Sequence, residues 1–165
     1  MGRATWIVTS IHSDKLYKAL PEDLKLLYFQ LLTHPNGNKA GFFQIDIDIQ
    51  RILRGGRSEE ECRQELETET CLWLYDRRND LVLIPTYLKY NKIGSSKTFQ
   101  SMKFELEQLP KSRLCIEFLY RVNEYTEGKG LDYIPAKMIE CAKAYLKTGK
   151  KQTLHESIIT KILTS

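Results

Sequence analysis

The chain has 165 residues, of which 42% are hydrophobic, and carries a formal net charge of +4. This length fits one domain, or one domain with a helical extension, and the apolar content suffices for a packed core. No run approaches the ~18 apolar residues of a bilayer span, so a membrane protein is not expected. Met1–Ser10 lacks a long apolar stretch, which argues against a secretory signal and favours a cytoplasmic protein.

The four cysteines and three histidines show no metal-ligand spacing and no paired C-x-x-C motif. They are Cys62, Cys71, Cys115 and Cys141, and His12, His34 and His155. We interpret the cysteines as small apolar core residues and expect no metal and no cofactor. There is also no paired-carboxylate motif with a positioned base, no nucleophile signature and no phosphate loop, so an enzyme is not expected.

The first strong helix signal lies after Pro21. Five apolar residues recur at the spacing of one helix face, namely Leu24, Leu27, Tyr28, Leu31 and Leu32. Pro21 suits a first helical turn, and the run His34–Gly37 predicts the end of the helix. Upstream, Trp6 and Ile7 are expected to pack on the core. A short helix is predicted over Asp14–Leu20, with Leu16, Tyr17 and Leu20 inward.

A short strand and a second helix are predicted next. Phe42–Ile45 is the strand candidate, and Asp46 can cap a helix with Ile49, Ile52 and Leu53 directed inward. The run Arg54–Arg57 contains two glycines and ends that helix.

A third helix and a hairpin complete this part of the chain. Ser58–Glu61 is a capping box that opens a helix with Cys62 and Leu66 one turn apart. Two apolar runs, Cys71–Tyr75 and Leu81–Pro85, flank a polar loop of hairpin length. Helix, strand, helix, turn, helix, hairpin is the order of a winged helix-turn-helix.

The remaining chain predicts helices only. Gly94–Ser96 is the best internal boundary, so we expect a winged helix-turn-helix domain over residues 1–93 and a helical extension over residues 94–165. Apolar stripes at helical spacing follow Ser95, Ser112, Pro135 and Thr153, where the last residue opens a second capping box. The predicted fold class is mostly α within α+β.

Charge is unevenly distributed along the chain. Residues 58–70 hold six glutamates and one arginine, a net charge of −5. Residues 71–103 hold six basic and two acidic side chains, and residues 129–165 hold seven and three, so each segment carries +4. Because phosphates repel carboxylates, we do not expect the acidic third helix to read bases in a major groove.

The residues predicted to contact DNA phosphates flank that helix. They are Arg51, Arg54 and Arg57 at the turn, Arg77 and Arg78 at the hairpin tip, and Lys89 and Lys92 after the hairpin. For the turn and for the hairpin tip, a solvated loop without a ligand remains the alternative. Tyr87, Leu88, Tyr90 and Ile93 either pack a linker on the domain or, with the interleaved lysines, stack on single-stranded bases.

The segments described above resemble a known family. The runs Leu26–Pro35 and Gly41–Ile45 are similar to the amino-terminal domain of phage replisome-organiser (replication-initiation) proteins, and the winged helix is similar to that of the primosome protein DnaD. Later segments fit as well, namely Ser58–Glu61, Tyr87–Asn91 and Leu106–Pro110. The resemblance covers roughly Trp6 to Tyr125.

The resemblance implies a replication accessory protein that binds single- or double-stranded DNA. It further implies self-assembly through the winged helix, giving a homo-oligomer, and recruitment of a helicase or its loader. Two alternatives stay open: a winged-helix transcription regulator, and a protein-interaction module that uses the acidic helix and binds no DNA.

Overall fold

A computed structural model describes residues 9–148 and 153–165 of the chain. The described part is about 60% helical, with nine α-helices and a small sheet, so the predicted mostly helical α+β class is confirmed. The helices are α1 Lys15–Ala19, α2 Glu22–Leu32, α3 Ile47–Leu53, α4 Glu59–Leu66, α5 Tyr87–Tyr90, α6 Ser96–Glu107, α7 Leu114–Tyr125, α8 Ala136–Thr148 and α9 Leu154–Thr164. The strands are β1 Phe42–Gln44, β2 Leu74–Asp76 and β3 Leu81–Leu83, and two 3-10 helices span Thr9–Ser13 and Lys129–Tyr133.

The three strands form an antiparallel sheet in the order β1-β3-β2. Leu83 of β3 is paired with Phe42 of β1 on one side and with Leu74 of β2 on the other. The strand that precedes α3 and α4 therefore pairs with the second strand of the hairpin that follows them. The backbone N–H of Ile45 extends this pairing by donating to the carbonyl of Asp80 at 2.7 Å.

Side chains alternate across the sheet, and both faces are buried. Phe43 and Val82 face one core, which also contains Trp73 of the segment before β2. That core is completed by α2 and α4, through Leu27, Tyr28, Leu31, Leu32 and Leu66. The predicted inward face of α2 is thus confirmed for four residues, while Leu24 is only partly buried. The Trp73 indole N–H donates to the Leu66 carbonyl at 3.0 Å.

The opposite sheet face is covered by the helical extension. Phe42 and Leu83 pack against α7, and the rings of Phe42 and Phe118 lie 5.2 Å apart. Buried residues of α6, α7, α8 and α9 complete this second core, including Met102, Leu106, Cys115, Leu119, Val122, Met138, Cys141 and Ile159. The extension therefore packs on the sheet. The domain boundary after residue 93 stays a prediction.

Helix starts follow the predicted capping residues. Asp46 accepts from the backbone of Asp48 and Ile49, and Ser95 accepts from that of Thr98. Ser58 and Thr153 form complete capping boxes with Glu61 and Glu156. These local signals were correct because they satisfy free N–H groups within one helical turn, whatever the tertiary contacts.

Several predicted inward residues are exposed, and those predictions were wrong. Ile52 is 76% exposed, Leu53 40% and Leu16 50%. In α3 the buried position is taken by Gln50, whose amide has no hydrogen-bond partner among the described residues. Helical spacing identified an apolar stripe but not which side of a seven-residue helix meets the core.

The cysteines follow the core interpretation with one exception. Cys62, Cys115 and Cys141 are buried, whereas Cys71 is exposed in the loop before β2. Burial raises the pKa of the Cys62 thiol. The predictions for Trp6 and Ile7 lie outside the described residues.

Candidate nucleic-acid interface

Arg54, in the turn between α3 and α4, is enclosed by carboxylates. Its side chain is only 2% exposed. Its Nε donates to Glu65 at 2.9 Å, and its Nη2 lies 2.7 Å from a carboxylate oxygen of Asp23. Gln30 accepts from Nη1 at 3.4 Å. Arg54 therefore joins α2 to α4. A phosphate could not reach the guanidinium without breaking these bonds, which argues against the predicted phosphate contact of Arg54.

The neighbouring arginines belong to the same network. Arg57 ion-pairs with Glu65 and, at 3.5 Å, with Asp23. Arg51 donates from Nε to the Arg57 carbonyl at 3.1 Å and pairs with Asp48 at 3.4 Å. Two carboxylates thus offset the charges of Arg54 and Arg57. The predicted cluster of three turn arginines exists, but much of its charge is neutralised within the protein.

Helix α4 presents the acidic surface that the sequence predicted. Glu59, Glu60 and Glu61 lie in its first turn. Arg77 of the hairpin loop reaches back to this helix, where it pairs with Glu60 and, at 3.1 Å, with Glu67. The hydrogen bond from Arg77, aided by one from Gln64, holds the pKa of Glu60 below its usual range. Arg77 therefore offsets the acidity of α4 instead of adding positive charge to the hairpin tip.

A second arginine fastens the hairpin to α4. The Arg63 guanidinium forms a bidentate pair with Asp80, with distances of 3.2 and 3.0 Å, and the Tyr75 hydroxyl donates to the same carboxylate. Burial opposes ionisation of Asp80, but these bonds outweigh it and hold the Asp80 pKa below its ordinary value. Burial and the bond to Asp80 raise the pKa of Tyr75. Asp80 has φ +49°, so it closes the hairpin in the left-handed region.

Arg78 remains at the hairpin tip as an exposed cation. Its side chain has no hydrogen bond or ion pair among the described residues, and its backbone N–H donates to Asp76 at 3.0 Å. Asn79 donates to the carbonyl of Lys111 at 3.0 Å, which brings the exposed Lys111 beside the tip. Sequence reasoning did not identify Lys111 because nothing local relates the loop after α6 to the hairpin.

Lys89 and Lys92 form a separate basic group after β3. Tyr87 and Leu88 of α5 are buried, so the packing interpretation holds for these two residues. Lys89 and Lys92 are exposed, and the Lys89 Nζ lies 5.4 Å from the centroid of the half-buried Tyr90 ring. Arg78 precedes β3 in the chain, whereas Lys89 and Lys92 follow it, so the two basic sites lie at opposite ends of this strand. With three residues, β3 is about 10 Å long.

A cleft of about 260 Å³ opens beside Lys92. Its walls come from α5 and the segment after it, from α6, from the end of α7 and from the residues that follow α7. They include Lys92, Ile93, Phe99, Tyr125, Glu127 and Lys129. The lysines lie 37 positions apart in sequence, so local pattern reasoning had no signal that would bring them together.

The structure thus divides the seven predicted DNA-contact residues into two groups. Four are engaged in ion pairs, namely Arg51, Arg54, Arg57 and Arg77. Three are exposed and form no ion pair with a described residue, namely Arg78, Lys89 and Lys92. No described helix is long and apolar enough to cross a bilayer.

The chain was compared with protein families, with curated proteins and with solved structures, and none of the three comparisons gave a match.

Proposed function

We propose that this chain is a DNA-binding accessory protein of replication, of the phage or prophage replisome-organiser kind. It contacts DNA phosphates and does not read bases with its third helix. Arg78, Lys89 and Lys92 are the contact residues, and a helicase or its loader is the partner that the resemblance suggests. No catalytic step is part of this role.

The topology of the sheet carries the proposal. In a winged helix-turn-helix, the strand between the first and second helices pairs with the second strand of the hairpin. Here β1 pairs with β3 in the same way, and we assign α2, α3 and α4 to the three helix positions. This arrangement supports a winged helix in which α4 is the third helix and residues 76–80 form the tip of the wing.

The charge on α4 favours phosphate contact by other elements. Glu59, Glu60 and Glu61 would meet phosphate groups if α4 entered a major groove, and like charges repel. Arg63, which could otherwise read a guanine, is held by Asp80 and Glu59. A sequence-specific regulator that uses this helix is therefore disfavoured.

The internal arginines receive a structural role in this proposal. Arg54 and Arg57 hold α2, α3 and α4 together, and Arg77 holds the wing against α4. In this proposal these three arginines do not contact DNA. The exposed residues Arg78, Lys89 and Lys92 contact it instead. This division separates residues needed for stability from residues needed for binding, so each group can be tested alone.

Binding can be tested by fluorescence anisotropy with mixed-sequence single-stranded and duplex DNA at two salt concentrations. We expect salt-sensitive binding that weakens at least tenfold in the variant Arg78→Ala/Lys89→Ala/Lys92→Ala. Each lost phosphate contact should lower the log–log salt slope by about 0.9 on duplex and about 0.7 on a single strand.

A variant with the same charge change controls for net charge. Lys143, Lys147 and Lys161 are exposed residues of α8 and α9, and their replacement by alanine should leave affinity nearly unchanged. A larger loss in this control than in the site variant would move the interface to the carboxy-terminal helices. Absence of binding to either DNA at low salt would contradict the proposal.

One observation favours a protein-interaction module as the second candidate. Leu26 is 52% exposed, and Ile52 and Leu53 are exposed on the neighbouring helix. Gln30, one turn after Leu26, donates to the Leu53 carbonyl at 2.8 Å, which brings the end of α3 beside the side of α2 that carries Leu26. Concentration-dependent self-association without DNA binding, measured by analytical ultracentrifugation, would favour this second candidate.

A further inference from the structure

The cleft beside Lys92 combines cations with aromatic rings. Lys92 and Lys129 are exposed on its rim, whereas Phe99 and Tyr125 are half-buried in its walls. Single-strand binding sites in proteins use the same combination, because amines attract phosphates and rings stack on bases of any sequence. Its chemistry therefore matches a nucleotide better than a purely apolar ligand.

The two rings are held in place by contacts outside the cleft. Phe99 stacks on Tyr133 with ring centroids 4.8 Å apart and planes 11° from parallel. The Tyr125 hydroxyl accepts a hydrogen bond from Arg121 at 3.3 Å. Because these side chains are already ordered, less conformational entropy is lost when a ligand binds.

We propose that this cleft holds one unstacked nucleotide of single-stranded DNA. The base lies against Tyr125 and Phe99, and the phosphates on its two sides contact Lys92 and Lys129. This inference rests on the proposed DNA-binding function and adds to it a specific site and a preference for single strands.

The size of the cleft favours a single strand over a duplex. Its volume of about 260 Å³ lies just below the roughly 300–1,000 Å³ typical of small-molecule sites. That leaves room for one planar group with its sugar. A base within a duplex would have to unpair and leave the stack before entering, which weakens duplex binding relative to single-strand binding.

One carboxylate limits where phosphates can lie. Glu127 is exposed on the rim and has φ +52°, and Gly128 after it has φ +81°. The Glu127 charge repels phosphate and so confines the phosphates to the sides of the cleft occupied by Lys92 and Lys129. Replacing Glu127 with asparagine, which tolerates the left-handed region, should strengthen single-strand binding about two- to threefold.

The test compares binding of a short oligothymidylate with binding of a duplex of equal length. Lys92→Ala/Lys129→Ala should weaken oligothymidylate binding about tenfold at low salt and lower the salt slope by about 1.4, or 0.7 for each contact. Tyr125→Leu, which keeps an apolar wall, should also weaken it about tenfold or more, because base stacking on the ring is lost. Duplex binding should lose at most twofold in Tyr125→Leu.

A second measurement locates the base directly. Oligothymidylate carrying 5-iodouracil should form photo-crosslinks that mass spectrometry maps to Tyr125 or Phe99. Lys143→Ala/Lys147→Ala is the charge-matched control and should behave as the wild type.

The outcomes separate this inference from the proposed function. Wild-type DNA binding that the cleft variants leave unchanged, with crosslinks elsewhere, would overturn the cleft as a site and remove Lys92 from the contact residues, while DNA binding through Arg78 and Lys89 stands. Equal loss of single-strand and duplex binding in Tyr125→Leu would overturn the single-strand assignment. A wild type that binds neither DNA would overturn both proposals.

Discussion

At the scale of single residues, charge pairing decides which arginines can meet a ligand. Arg54 and Arg78 have the same side chain, but the first is enclosed by Asp23, Glu65 and Gln30 and the second has no such partners among the described residues. A buried guanidinium with good partners is a structural element, and an exposed one is available for phosphate. The number of basic residues in a segment is therefore a weak guide to its binding surface.

We predict that Arg54→Met destabilises the fold by about 3 kcal/mol, because it leaves Asp23 and Glu65 with less compensation. Urea denaturation followed by circular dichroism measures this loss. Arg51→Met is the matched control, since Arg51 is 41% exposed and its pair with Asp48 should contribute below about 1 kcal/mol. Equal stabilities of the two variants would contradict the structural role of Arg54. DNA affinity of folded Arg54→Met should equal that of the wild type.

At the scale of elements, the hairpin depends on its attachment to α4. Arg63, Tyr75 and Asp80 form a cluster between two short strands and a two-turn helix. Strands of three residues have few ladder hydrogen bonds, so side-chain contacts matter more for their placement. This cluster fixes the hairpin, and with it the position of Arg78.

The Asp80 pKa gives this attachment a pH dependence. Its folded pKa is held below the ordinary 3.8, so its contribution to stability is fully present above about pH 4–5. The contribution is lost as pH falls below 3.8 toward the folded pKa. Asp80→Asn keeps a residue that tolerates φ +49°, and should lower stability by about 2 kcal/mol at pH 7.

Denaturation at pH 7 and near pH 3 measures this effect. The difference between wild type and Asp80→Asn should shrink at the lower pH, whereas Asp132→Asn, at an exposed carboxylate without an ion pair among the described residues, should match the wild type throughout. A difference that does not change with pH would mean that the Asp80 charge is not what holds the hairpin.

Element prediction from sequence succeeded where the signal was local. The capping boxes at Ser58 and Thr153 and the hairpin around residues 76–80 were all found in place. The inward sides of α1 and α3 were predicted only in part, since Tyr17 of α1 is buried as expected but Leu16 and Ile52 are exposed. In helices of five and seven residues, one extra apolar residue is enough to obscure the buried side.

At the scale of the whole molecule, the sheet joins two hydrophobic cores. Alternation along β1 sends Phe42 toward α7 and Phe43 toward α2. The sequence predicted both sets of helices but not that the extension covers the sheet, since contacts between distant segments leave no periodic signal. The pairing of Arg54 with Asp23 and the approach of Lys129 to Lys92 were unpredictable for the same reason.

We predict that loss of Phe118 destabilises both cores together. Phe118 is fully buried, so Phe118→Ala should cost about 3–5 kcal/mol. Trp73 lies in the first core, so tryptophan fluorescence in a Trp6→Phe background reports that core, while circular dichroism reports all helices. In Phe118→Ala the two probes should give coincident transitions that are shifted equally. Phe104 is 67% exposed, so Phe104→Ala should shift neither transition. Separate transitions would indicate independent domains on either side of residue 93.

The measurement that tests the central claim most directly is the salt dependence of wild-type binding to mixed-sequence DNA. If Arg78, Lys89 and Lys92 each neutralise one phosphate, log Kd should rise linearly with log salt concentration, with a slope of about 2.7 on duplex DNA. The slope should fall toward zero in the triple variant. A wild type that binds neither duplex nor single strands at low salt, or binds with an affinity that salt does not change, would contradict phosphate contact and leave the protein-interaction module.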